Sequence, residues 1–182
     1  MTARIPSKAD PVVLSQEDLR AVTGYAAACA QDVLQVFEGV HPADSRPREA
    51  VDAAWTFARG GKRGRSLRDT AWAAQRAAGD AGTPAAGHAA RAAMCAASAA
   101  YLHPLADAHQ VKHILGAAAH AARAAELLAG DDPEIGADHI AKARQHATRV
   151  VVDVLSRYPA APPGGGRIGE LLRALDQALR YR

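Results

Sequence analysis

An uninterrupted apolar run of about 18 residues, the minimum for a membrane-spanning helix, is missing from this sequence, because Arg or His breaks every alanine stretch. The start, MTARIPSKADP, lacks the apolar central segment of a signal peptide. Aromatic residues are only 4% and no segment alternates polar and apolar with period two, so a sheet of large side chains is not expected. There are two cysteines, Cys29 and Cys95, far apart and without C-x-x-C spacing. Each lies in an apolar stretch, which points to buried thiols in a reducing compartment rather than a disulfide. The charge excess is also small: 22 basic against 19 acidic residues give +3, far from the field of a dedicated nucleic-acid binder. These absences lead to the expectation of a cytoplasmic protein with no membrane partner.

Alanine is what the sequence has in excess, 46 of 182 residues. It favours helices packed closely through small side chains, and a chain of this length can bury about 70% of its surface in one domain. The sequence therefore predicts an all-α fold, a single-domain bundle of six to seven helices. Residues 1–13 read as a flexible tail, 14–158 as the helical core, 159–166 (PAAPPGGG) as a plain linker, and 167–182 as an amphipathic helix packing on the core. Ser15 and Asp18 resemble a capping box for the first helix, which buries Leu19, Val22, Ala26, Cys29, Val33 and Phe37 in one stripe ending at Gly39. Further helices are expected from Pro47 to Gly60, from Ser66 to Gly79, from Pro84 to about Leu102, and from about Leu105 to Ala129. A sixth starts at Asp132-Pro133 and buries Ile140, Ala147, Val151 and Val154.

Seven of the eight histidines fall between His88 and His146. At about 100° per residue, His109, His113 and His120 share one face of the fifth helix, with Gly116 beside them, while Val111, Ala118 and Ala122 point the opposite way. H-x-x-x-H places two imidazoles one turn apart, the spacing at which both can ligate one divalent metal. Gln110 stands where the zincin motif needs Glu, so that chemistry is excluded. An antiparallel hairpin around Gly130 to Pro133 brings His146 level with this face, making His109, His113 and His146 a candidate metal set. The alternatives are a ligand pocket lined by these histidines, acid–base work by His109 or His113, and ordinary half-buried polar residues.

Other signals are simpler. The loop GGKRGRS with Arg68 gathers Lys62, Arg63, Arg65 and Arg68 around three glycines and a helix start, a candidate anion site, though neither the order of a Walker A motif nor a preceding strand is present. Asp44, Arg46, Arg48, Glu49 and Asp52 cluster at the start of the second helix, where Glu49 and Asp52 suit the helix dipole or the cluster forms a charged rim for a partner. Ser98 and Ser156 lack a G-x-S-x-G elbow, so nucleophilic catalysis has little support.

The runs AAACAQDVLQVFE (residues 26–38), DSRPREAVDAAWTFARG (44–60) and AHQVKHILGAAAHAARAA (108–125) resemble a bacterial helical family of immunity proteins over roughly Leu14 to Val154. The elements that carry the resemblance are the R-P-R turn and the A-H-x-x-x-H helix, here Arg46, Pro47, Arg48, His109, His113 and Gly116. Two positions depart from the family pattern: the basic loop follows A-R-G where an acidic residue is usual, and Lys112 precedes the second histidine. The resemblance implies a compact helical protein that binds a partner. On it rests the first functional expectation, a non-enzymatic binding protein that sequesters a toxin or a small molecule at a site formed by His109, His113, Gly116, His120, Arg46 and Arg48. The alternative is a small helical enzyme of a biosynthetic pathway that uses His109 and His113, with His120 or His146, as acid–base groups or metal ligands. Nucleic acid is a weaker third partner, and a homodimer is compatible with the sequence.

Overall fold

The computed structural model describes residues 11–181, and these contain helices, turns and one isolated bridge between Pro11 and Leu105, with no strand. In chain order the helices are α1 (Gln16–Gln31), α2 (Leu34–Glu38), α3 (Arg46–Ala58), α4 (Arg65–Asp80), α5 (Pro84–Ser98), α6 (Val111–Leu128), α7 (Pro133–His146), α8 (Arg149–Ser156) and α9 (Gly166–Arg180). Short 3-10 turns follow α5 at Ala99–Tyr101 and precede α6 at Ala108–Gln110.

The expected bundle is present with more pieces than the sequence suggested, because two of its long helices are each broken once. The first breaks at Asp32–Val33, where Val33 leaves helical geometry and α2 starts afresh. The sixth breaks at Ala147, whose backbone is extended, and Thr148 then caps α8 through its side chain. Both breaks keep the apolar stripe inward: Phe37, Ala147, Val151 and Val154 remain buried. The capping box at Ser15 and Asp18 is formed as read, and Thr83 and Asp132 cap α5 and α7 with their side chains.

Helix α5 is the centre. It packs on α6, α4, α3 and α1, and eight alanines of its sequence PAAGHAARAAMCAAS are fully or nearly fully buried. Small side chains let neighbouring helices approach so closely that a Cβ added at Gly116 of α6 would sit 3.2 Å from Cys95 Sγ of α5. The outer layer is α9, which buries Leu171, Leu172, Leu175 and Leu179 against α6 and α7. A buried carboxylate fixes that junction: Glu126 of α6 accepts from Arg123 at 2.8 Å and from Arg167 of α9 at 2.5 Å. Burial pushes the Glu126 pKa up, but the bonds from the two guanidiniums outweigh it and hold the group below the usual carboxylate range.

Two boundaries of the sequence reading need correction. Residues 1–10 of the expected tail lie outside the described residues, but Val12 is not tail-like: it is buried, and its N–H donates to the Pro104 carbonyl at 3.0 Å. An apolar side chain next to a free backbone acceptor gives the segment a reason to dock. The 159–166 segment is likewise no plain linker. Arg180 donates to the carbonyls of Tyr158 and Pro159, Arg173 donates to those of Pro162 and Gly164, and the Ala161 N–H donates to the buried carboxylate of Asp176. The segment is a strap tied along α9.

Candidate histidine-lined cleft

The strap forms one wall of a cleft of about 510 Å³. The opposite wall is the histidine face of α6, with His109, His113, Gly116 and His120, and the floor is Met94, Cys95 and Ser98 of α5. Ile168, Gly169 and Leu172 of α9 complete it beside Pro162 to Gly165. The strap turns sharply there: Gly164, Gly165 and Gly166 have φ of +85°, +78° and +56°, a region that favours glycine. Gly169 is required for a different reason, since a Cβ on it would run into the Gly164 carbonyl. The bare first turn of α9 is what lets the strap lie on the helix.

The imidazoles differ along the cleft. His109 is 68% exposed at the mouth, with Nδ1 3.0 Å from the Asp107 carboxylate. One turn deeper, His113 is half-buried, and burial pushes its pKa down, partly countered by a hydrogen bond to the Ser98 backbone. Two turns further, His120 meets His88 of α5, with their Nδ1 atoms 2.9 Å apart and the rings stacked at 5.2 Å. One Nδ1 must donate and the other accept, so the two rings cannot both be protonated. Burial first, then the charges of His88 and Arg91, hold His120 down to about 3. His88 is lowered by burial and by Arg91 and Arg123.

The cleft therefore offers imidazole rings among apolar walls, with Lys112 beside them and no carboxylate in its lining. It does not offer a ready nucleophile: the Ser98 hydroxyl donates to the Met94 carbonyl at 2.8 Å, and burial pushes the Cys95 thiol up to about 12.

The structure brings His109, His113, Gly116 and His120 together and separates the other expected site residues from them. His146 turns to α1, with Nε2 2.9 Å from Asp32, whose other oxygen takes Lys142 at 2.8 Å. α7 thus directs this side chain to the end of α1 instead of the histidine face of α6. Among the described residues no three His, Cys, Asp or Glu side chains gather as a metal site. Arg46 is bound by Asp44 and Asp80, and Arg48 by Glu38, so both serve the start of α3. Arg63, Arg65 and Arg68 line a separate cleft of about 580 Å³ with Tyr101 and His103, and Lys62 is exposed outside it. Sequence reasoning missed His88, the strap and the first turn of α9. The one signal for these was a glycine, Gly169, inside a strongly amphipathic helix that directly follows PPGGG.

A family model described as Imm-5 like putative immunity protein matches residues 13–151. That stretch contains every motif on which the resemblance in the sequence rests. No curated protein and no solved structure matches the chain significantly.

Proposed function

The chain belongs to the Imm-5 like immunity protein family, and from that membership we propose that it is a non-enzymatic binding protein that neutralises a toxin by seating one of its projecting groups in the histidine-lined cleft. The observation that carries this reading is the cleft itself. It is concave and mainly apolar, with a few convergent polar groups, the usual make-up of a recognition pocket. Burial pushes the pKa of His113 and His120 down, which suits hydrogen bonding to an uncharged group more than acid catalysis. Ser98 and Cys95, with a committed hydroxyl and a protonated thiol, favour binding over covalent chemistry.

Growth of cells expressing the toxin encoded beside this chain tests the reading. Co-expression of the chain restores growth, and Ile168→Trp, which narrows the cleft from α9, removes that protection while the protein stays helical and soluble. Protection by Ile168→Trp equal to the original chain overturns the cleft as the recognition element. Cell death regardless of the chain overturns toxin neutralisation, and a small molecule retained by the purified protein then identifies the occupant.

A further inference from the structure

The histidine cleft adjoins a second, apolar cleft of about 510 Å³, and Met94, Ser98 and His113 line both. Arg68 and Tyr101 in turn line both that cleft and the arginine-lined one. The three clefts lie side by side as one grooved surface across α4, α5 and α6. Trp72 stands on it 62% exposed, an unusual place for the largest apolar side chain. The arginine end is built against self-repulsion: the guanidiniums of Arg63 and Arg68 lie 5.6 and 5.0 Å from the centre of the same Tyr101 ring.

The charge of this groove is one-sided. None of the three clefts has an Asp or Glu in its lining, although acidic and basic residues are nearly balanced over the chain at 19 and 22. Carboxylates occur only beside it, Asp69 at 3.4 Å from Arg65 and Asp107 on His109. Helix α4 adds to the field, since it begins at Gly64 with no side-chain cap and no acidic residue in its first turn. A cationic end, an aromatic platform and an apolar trough in sequence are complementary to an acidic polypeptide segment that carries an aromatic or large aliphatic anchor. They fit nucleic acid less well, because the cations are few, three arginines at one end and Lys112 at the other, with an apolar trough between them instead of a row that tracks a phosphate backbone.

We propose that the surface formed by these three adjoining clefts, from the histidine cleft past Trp72 to Arg63, Arg65 and Arg68, is the docking surface for an acidic, aromatic-bearing segment of a partner protein. This deepens the reading of the chain as a partner-binding protein by naming the chemistry of the partner's contacting segment. The test uses no toxin, so it can fail while protection of cells stands, or succeed while protection fails.

The probe is a fluorescein-labelled peptide of glutamates with a central tryptophan, titrated into the full chain by fluorescence anisotropy. Binding is expected, weaker as salt rises from low to physiological ionic strength, and reduced by about tenfold or more in Arg63→Glu/Arg68→Glu and in Trp72→Ala. Arg149→Glu, on the exposed start of α8 and away from the groove, leaves it unchanged. The substitutions are at exposed positions, and circular dichroism checks that the helices are retained. No binding of the peptide overturns the proposal, as does binding that ignores Arg63, Arg68 and Trp72. Tighter binding of an oligothymidine of equal charge also overturns it and assigns the groove to nucleic acid.

Discussion

Two buried polar contacts decide how single residues behave. In the His88–His120 pair one Nδ1 donates and the other accepts, so the two rings cannot both carry a charge. In the unfolded chain both imidazoles take a proton near about 6.5, whereas folding holds His120 at about 3 and lowers His88. Between those values the unfolded chain binds more protons than the folded one. Stability that is fully present above about pH 6.5 is therefore lost progressively as pH falls toward 3. Urea midpoints measured from pH 7 down to 5 should fall for the original chain and be flatter for His120→Gln, which cannot take the extra proton. The second contact is Glu126 under Gly136: a Cβ at Gly136 would overlap the Glu126 carboxylate, which Arg123 and Arg167 hold in place. Gly136→Ala should cost about 1–3 kcal/mol of stability, read as a lower thermal midpoint, even though alanine is the better helix former. Of these residues the sequence exposed only part. The spacing of His109, His113 and His120 on one helix is periodic and could be read, but His88 meets His120 from another helix, and no spacing encodes that.

At the level of elements, the strap is the feature on which the cleft depends. Arg173 donates to Pro162 and Gly164, and Arg180 to Tyr158 and Pro159, so the carbonyls of the strap are held by side chains of α9. Arg173→Ala should leave α9 in place, because Leu171, Leu175 and Leu179 remain buried, yet release the strap. The expected result is faster amide exchange of residues 161–166 and weaker capture of the toxin, with little change in overall unfolding. Helix starts were the most legible elements, since Ser15, Thr83 and Asp132 act locally through their own side chains. The breaks at Val33 and Ala147 were not legible, as apolar spacing runs on across both and the change of direction is imposed by the helices they pack on. The strap was hidden because proline and glycine mark a turn without saying what it lies against.

For the whole molecule, alanine content gave the architecture and could not give the surface. An all-helical bundle follows from 46 alanines and few aromatics, because close helix packing needs little more than small side chains in a long enough chain. Where the charges segregate depends on which faces α4, α5 and α6 leave uncovered, and a net charge of +3 conceals a groove with cations but no Asp or Glu in its lining. The family supplies the direction of the function, and the proposal places the contact in the cleft between α6 and the strap. Calorimetric titration of the purified toxin into the chain and into Ile168→Trp brings these together. A one-to-one complex with the original chain that weakens by about tenfold or more on filling the cleft is the outcome expected. Equal affinity for both proteins would place recognition on another face and contradict it.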